Sequence, residues 1–198
     1  MFFGGAAVIL ALTLVVSLIG LSRPQLVDRL LLRPYRLTQG GEYHTLITSG
    51  LVHADGAHLF FNLFTFFFFA FPLERVLGTW RFVALYLIGL VLSDLGTWFK
   101  HRNEPEYASL GASGAILAVL FAYIVYFPDS SLYLMLIPIP IPAPLFAVAY
   151  LAYSWWSSRQ NRGRINHDAH IGGALTGLAF VAVTDPGAYR RLLEIVGG

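Results

Sequence analysis

Residues 110–127 read LGASGAILAVLFAYIVYF, and residues 169–184 read AHIGGALTGLAFVAVT. Neither run contains aspartate, glutamate, lysine or arginine. Their lengths approach or reach the roughly 17–25 residues that an α-helix needs to cross a bilayer. Each run therefore predicts a membrane-spanning helix, and each carries a reactive side chain, Ser113 or His170, beside small residues near its start.

The whole chain has the composition of an integral membrane protein. It is 57% hydrophobic and 12% charged over 198 residues, whereas soluble domains carry about 25% charged residues. This length suits a single domain, 1–198. Six apolar runs are candidate spans: 2–21, 57–73, 81–99, 110–127, 143–157 and 169–184. The predicted fold is all-α, a polytopic membrane bundle of six transmembrane helices.

Composition also narrows the function. A net charge of +2 without a basic stripe argues against a nucleic-acid partner. The absence of cysteine excludes disulfides and thiolate chemistry. The first apolar run has no basic residue before it, as a signal peptide would have, so we expect it to be a retained helix.

Two connections have unusual sequences. The longest, 22–56, alternates arginines with leucines, which is typical of a segment lying in the membrane interface. The segment 137–144 reads IPIPIPAP. Its four prolines forbid a regular helix, and we expect an extended, re-entrant loop there.

The order of the spans places the polar residues together. With six spans, the second, fourth and sixth helices all start on the same side of the membrane. His58 and Asn62 open the second, Ser113 the fourth and His170 the sixth. These residues should therefore share one depth, on the side where all six histidines fall. That clustering predicts a functional site.

Ser113 lies in the segment Gly111-Ala-Ser-Gly114. A serine hydroxyl becomes a useful nucleophile when a base takes its proton, and free N–H groups at a helix start can stabilise an oxyanion. Glycines allow a substrate to approach closely. Alone, such a serine also fits simple helix packing, and the G-x-S-x-G pattern fails because Ala115 takes the last position.

The histidine of the sixth helix lies on a face of small residues. His170, Gly173, Ala174 and Gly177 share one helix face, and small residues at matching intervals follow Gly114 on the fourth helix. A G-x-x-x-G face lets two membrane helices pack closely. Such packing would bring His170 to the serine.

His58 and Asn62 are four residues apart, so both point to the same side of the second helix. Three interpretations are open for this pair: a metal site, mutual hydrogen bonding, or two donors to an oxyanion. A serine and a histidine at the same depth favour the oxyanion.

These three motifs, in this order, resemble the rhomboid intramembrane proteases. Two further segments are similar to the family's loop before helix two and its turn into helix three: Gly41-Glu-Tyr…His53-Ala-Asp and Glu74…Gly78…Arg81. The resemblance covers roughly residues 40–180. The sequence departs from the family at His44-Thr45, where Trp-Arg is common, and this concerns loop docking rather than chemistry.

The resemblance implies a Ser–His dyad that cleaves transmembrane segments of membrane proteins. Ser113 would be the nucleophile and His170 the general base, with Asp168 outside the catalytic set. The oxyanion hole would consist of His58, Asn62 and the backbone of Ser113. Structural or packing roles would fall to six residues: Gly111, Gly114, Gly173, Gly177, Glu74 and Arg81. Neither a cofactor nor a metal is implied, and the partners would be membrane-protein substrates and lipid.

Location and rival functions follow from the same patterns. The family implies a bacterial inner membrane with the active site facing outward. Cytoplasmic loops are usually the richer ones in lysine and arginine. Of the 13 lysines and arginines, nine lie on the active-site side and four on the other, which predicts that the active site faces the cytoplasm. Three other functions are possible. An inactive rhomboid-like binding protein is the first. A metalloprotease or a transporter is disfavoured, because the sequence has neither an H-E-x-x-H motif nor inverted repeats. We expect Asp94 to be solvated at a helix end or paired with Lys100.

Overall fold

The computed structural model describes residues 4–134, 137–160 and 165–197. The start of the first predicted span, at residue 2, and the last residue of the predicted domain lie outside the described residues. The described elements, in chain order, are α1 (Gly5–Ser22), α2 (Pro24–Leu30), α3 (Pro34–Thr38), α4 (Thr45–Thr48), a 3-10 turn (Ser49–Leu51), α5 (Gly56–Leu77), α6 (Thr79–His101), α7 (Ser113–Tyr126), β1 (Ser131–Leu134), β2 (Ile137–Pro142), α8 (Ala143–Gln160), α9 (His167–Thr184), a second 3-10 turn (Pro186–Ala188) and α10 (Tyr189–Gly197).

The predicted all-α membrane bundle is confirmed as a fold class. Among the described residues, three helices, α1, α5 and α6, are long and apolar enough to cross a bilayer. A fourth span results if α9 and the C-terminal helix, which meet at a bend of 111°, are counted together. The helix α7 is shorter, with 14 residues. The count of six spans therefore stays a prediction.

Small residues bring α6, α7 and α9 into backbone contact. A Cβ atom at Gly173 would collide with the carbonyl oxygen of Gly114, and one at Gly177 with the carbonyl oxygen of Ala118. On the neighbouring helix, a Cβ at Gly89 would lie 2.9 Å from the Cβ of Ala118. Membrane helices gain little from apolar burial against each other, so close packing of small faces is what joins them. The buried helix α7 is the centre of this arrangement.

The connection between α1 and α5 contains three short helices. Its charged groups pair with each other: Arg33 binds Asp28, and Arg36 lies 2.8 Å from Glu42. Two backbone hydrogen bonds of 2.9 Å join Leu32 to Ser109. This bridge ties the segment to the loop that leads into α7, and so to the start of the helix that carries Ser113.

The proline-rich segment forms the second strand of a hairpin. Ser131 pairs with Pro142 and Tyr133 with Pro140 in an antiparallel ladder. The predicted extended backbone is therefore present over 137–142. The prediction is wrong for the last two residues, Ala143 and Pro144, because α8 begins there and proline is well tolerated in the first turn of a helix.

Glu74 connects the first two long helices. Its carboxylate accepts hydrogen bonds from the N–H groups of Gly5 (2.6 Å) and Ala6 (3.1 Å). These are the otherwise unsatisfied donors at the start of α1, where a negative charge is stabilising. Gly78, with φ of 76°, then makes the turn into α6, and Arg81 is exposed on the first turn of that helix.

The contact between α7 and α9 predicts that an added methyl group lowers stability at Gly173 but not at Gly56. We expect Gly173→Ala to lower the free energy of unfolding by about 1–3 kcal/mol or more, because the new Cβ meets backbone rather than a movable side chain. Gly56→Ala is the matched control, since a Cβ there has nothing within 4 Å. Thermal unfolding in detergent measures both, and equal midpoints would contradict this packing.

Candidate active site

The serine and the histidine singled out in the sequence meet in the structure. Ser113 is the first residue of α7, and its Oγ lies 2.9 Å from Nε2 of His170 on α9. The turn before it requires glycine, because Gly111 has φ of 107°, a conformation that other residues rarely adopt. The N–H of Gly111 donates to the carbonyl of Ser49 at 2.9 Å, which anchors this turn to the preceding loop.

Asn166 fixes the start of α9, one turn before His170. Its Oδ1 accepts a hydrogen bond from the N–H of Ala169 at 3.1 Å. Its Nδ2 donates to Ser109 Oγ at 3.0 Å and to Thr97 Oγ1 at 2.8 Å. Asparagine is a preferred helix N-cap, so the cap was detectable in the sequence, although the sequence analysis missed it. Its links to α6 and to the loop before α7 were not.

A tyrosine on α8 holds the other nitrogen of the histidine. The hydroxyl of Tyr150 lies 2.9 Å from Nδ1 of His170. For Nε2 to accept the proton of Ser113, Nδ1 must carry the ring hydrogen and donate it to the tyrosine oxygen. Sequence analysis missed Tyr150, because no spacing rule relates it to a residue on a different helix.

His58 and Asn62 lie at the start of α5, facing the same cavity. The Nδ2 of Asn62 donates to the backbone carbonyl of His58 at 3.0 Å, so the two side chains do not bond each other. The imidazole of His58 packs against Gly111, where a Cβ would lie 2.6 Å from its Cε1. Asp55 caps this helix by accepting from the N–H of His58 at 2.8 Å.

All four predicted site residues line one cavity of about 870 Å³. It lies between α5 and α8, with Ser113 and His170 on its inner wall. In the part of the chain that the structure describes, no group of three His, Asp or Glu side chains could hold a metal ion. The cavity therefore brings a hydrogen-bonded serine and histidine together with the polar side chains of His58 and Asn62.

The lysine near the site pairs with Asp168 and not with Asp94 as expected. Lys100 donates to Asp168 Oδ2 and to the carbonyl of Ser158, both at 3.0 Å. The predicted pairing of Lys100 with Asp94 is therefore wrong, as is solvation at a helix end, since Asp94 is only 9% exposed. Because Asp168 binds Lys100 and His170 binds Tyr150, the histidine has no carboxylate partner among the described residues.

A second histidine, His53, precedes α5 and contacts His58. His53 Nδ1 lies 2.8 Å from Ser17 Oγ. Ser17 donates its own proton to the carbonyl of Leu51 at 2.7 Å, so His53 is the donor in the first bond. The ring of His53 packs edge-on against that of His58, with centroids 4.8 Å apart. Burial, and then the charge of His58, lower the pKa of His53 to about 4.

An apolar helical bundle that encloses a hydrogen-bonded serine and histidine defines a polytopic membrane protein with a polar internal site. A family model described as the Rhomboid domain matches residues 40–186. The chain belongs to the rhomboid family.

Three relatives illustrate the range of similar proteins. RHOMBOID-like protein 12, mitochondrial, of Arabidopsis thaliana is 28% identical over 77% of this chain and 49% of its own length. Presenilin-associated rhomboid-like protein A, mitochondrial, of Danio rerio is 31% identical over 69% of this chain and 36% of its own length. YdcA of Bacillus subtilis, whose name describes a candidate rhomboid protease, is 41% identical over 42% of this chain and 41% of its own length. The chain thus spans about half or less of the length of these curated relatives.

The lowered pKa of His53 predicts a loss of stability in mild acid. The unfolded chain takes up this proton near pH 6.5, whereas the folded chain does so only near pH 4. Between these values the unfolded state binds more protons, so stability falls as the pH decreases. We expect the free energy of unfolding to drop by up to about 3 kcal/mol from about pH 7 to pH 4.

Thermal unfolding of wild type and His53→Gln across this range isolates the contribution of His53. The variant should show a flatter pH dependence, while His44→Gln, at an exposed histidine, should follow the wild type. Parallel curves for wild type and His53→Gln would contradict the assignment of a buried neutral His53.

Proposed function

We propose that this protein is an intramembrane serine endopeptidase that cleaves transmembrane segments of membrane proteins. The observation that carries the proposal is the 2.9 Å separation between Ser113 Oγ and His170 Nε2, within the distance of about 2.6–3.2 Å that proton transfer requires. Membership of the rhomboid family supports it.

The reaction follows from the positions of these groups. His170 Nε2 takes the proton of Ser113, and Oγ attacks the carbonyl carbon of the scissile bond. The imidazolium then gives that proton to the leaving amine, which departs and leaves an acyl-serine ester. Water deprotonated by His170 hydrolyses the ester and restores Ser113. No cofactor takes part in this proposal.

The oxyanion formed in each step needs donors already in place. The backbone N–H of Ser113 is at the first position of α7, where a helix has no internal partner for it. Asn62 uses only one of its two amide hydrogens on the carbonyl of His58. We assign these two groups and the His58 ring as the oxyanion hole.

Tyr150 takes the place that a carboxylate holds in a Ser–His–Asp triad. Its oxygen accepts from Nδ1 of His170, which selects the tautomer with a free lone pair on Nε2 and orients the ring. A neutral hydroxyl stabilises the imidazolium less than a carboxylate does. The chemistry is therefore that of a dyad with a positioning tyrosine.

Substrate access is proposed from the membrane, between α5 and α8. The cavity is bordered by Phe61 and Thr65 of α5 and by Phe146 and Tyr150 of α8. Helix α8 rests mainly on α9, and Ala143 and Ser154 are its fully buried residues, so we propose that this helix moves outward to admit a substrate. The protein is an integral membrane protein, and we further propose a bacterial inner membrane with the site facing outward.

The dyad predicts a ranking of variants. Ser113→Ala and His170→Ala should abolish cleavage of a transmembrane segment, because nucleophile and base are both indispensable. His58→Ala or Asn62→Ala should reduce the rate by about 10²–10³ and leave measurable cleavage, since each removes one oxyanion donor. The assay uses purified protein in detergent with labelled transmembrane segments, and a fluorophosphonate probe reports on Ser113 directly.

Controls distinguish this enzyme from an inactive binding protein. Each variant should unfold near the wild-type temperature. Probe labelling that persists in Ser113→Ala would assign the nucleophile elsewhere. Wild-type protein that binds transmembrane segments, resists the probe and cuts none of them would favour the binding protein.

Tyr150→Phe should lower kcat by about 10–100-fold with little change in KM, by analogy with the loss of groups that orient metal-binding histidines. The ring stays in place, so only the hydrogen bond to Nδ1 is lost. Tyr153→Phe, an exposed tyrosine on the same helix, is the matched control and should keep full activity. An unchanged kcat in Tyr150→Phe would show that His170 is oriented without the tyrosine.

A further inference from the structure

Asp94 lies at the same depth as the nucleophile and lines the same cavity. Helix α6 packs against α7 and α9 where Ser93 meets Gly114: a Cβ at Gly114 would collide with the Ser93 side chain. Gly114 and Ser93 are therefore level with each other. Their neighbours, Ser113 and Asp94, both line the cavity.

Asp94 is largely buried, and its carboxyl group has no partner among the described residues. The residue is 9% exposed, and it forms no hydrogen bond or ion pair with any residue in the described ranges. The nearby cation on the same helix, Lys100, is engaged by Asp168 at 3.0 Å. A buried carboxylate left unpaired is destabilising by several kcal/mol, and an ionisable group inside a membrane protein points to a function.

The cavity around Asp94 is acidic. Two carboxylates line it, Asp94 and Asp55, and its described lining contains no lysine or arginine. Tyr107, on the loop that lines the cavity, keeps its hydroxyl neutral: burial, followed by the charges of Asp168, Asp94 and Glu104, raises the pKa of Tyr107 to about 12. The Asp94 carboxyl group can therefore accept a cation or a strong hydrogen-bond donor.

We propose that Asp94 is a substrate-binding residue that accepts a lysine or arginine side chain of the cleaved segment, close to the scissile bond. This rests on the proposed protease function. A basic side chain would complete the ion pair that the fold leaves open, and charge-assisted hydrogen bonds of this kind are the strong ones. Because Asp94 is level with Ser113, the basic residue lies within a few positions of the cut.

The test is a panel of otherwise identical transmembrane segments carrying Lys, Met or Glu at each position next to the cleavage site. Methionine matches the length of lysine without its charge. At one position the wild type should cleave the Lys segment with kcat/KM roughly 10–100-fold above the Met segment, as expected for a hydrogen bond between charged groups, and the Glu segment should be poorest. Asp94→Asn should reduce the Lys-to-Met ratio to about 2 or less.

Two further variants separate binding from structure. Asp168→Asn removes a carboxylate that binds Lys100 outside the cavity and should keep the wild-type ratio. Asp94→Asn should unfold at or above the wild-type temperature, because it removes a buried carboxyl group that has no partner among the described residues. Asp94→Ala is the second variant, and it should reduce the Lys-to-Met ratio of kcat/KM as Asp94→Asn does.

The outcomes distinguish this inference from the proposed function. A wild type that cleaves the Lys and Met segments equally at every position overturns the role of Asp94 and leaves the protease intact. So does an Asp94→Asn variant that is slower on all segments with an unchanged ratio. Binding of the same panel to Ser113→Ala gives the ratio of Kd values without cleavage, so a protein that cuts nothing overturns the protease while Asp94 is still tested.

Discussion

The contact between the backbones of α7 and α9 is the constraint on which the site depends. Gly173 and Gly177 face the carbonyl oxygens of Gly114 and Ala118 with no room for a Cβ atom. In a bilayer, apolar side chains gain little by leaving lipid for protein, so such close packing has to hold the helices together. The same contact sets the distance between a serine at the start of one helix and a histidine one turn into the other.

Polar groups around this contact satisfy one another across helices. Asn166 links α9 to Thr97 and Ser109, and Tyr150 links α8 to His170. Inside an apolar bundle an unmet donor or acceptor is costly, so a satisfied network also makes the arrangement rigid. Of the two carboxyl groups in the described cavity lining, Asp55 caps α5, whereas Asp94 has no partner among the described residues, which is the reason to assign Asp94 a ligand.

Rigidity is not spread evenly over the bundle. Helix α7 is buried along most of its length, and α9 is held to it by backbone contact, so Ser113 and His170 both lie on tightly packed elements. Helix α8 is peripheral, yet it carries Tyr150, which is hydrogen-bonded to His170. Movement of α8 to admit a substrate would therefore also act on the hydrogen bond between Tyr150 and His170.

The sequence by itself determined the class of fold and four of the residues that line the cavity. Apolar runs of spanning length identify membrane helices, and helical periodicity shows that small residues, Ser113 and His170 lie on faces able to approach. It did not determine partners: Tyr150 on Nδ1, the cross-links of Asn166, and Lys100 bound to Asp168 instead of Asp94 appear only in the tertiary structure. Periodicity records which side of a helix a residue occupies, whereas a hydrogen-bond partner is chosen by which helix packs there and at what height. Residues 20 to 70 positions apart meet through that packing, and no local pattern encodes it.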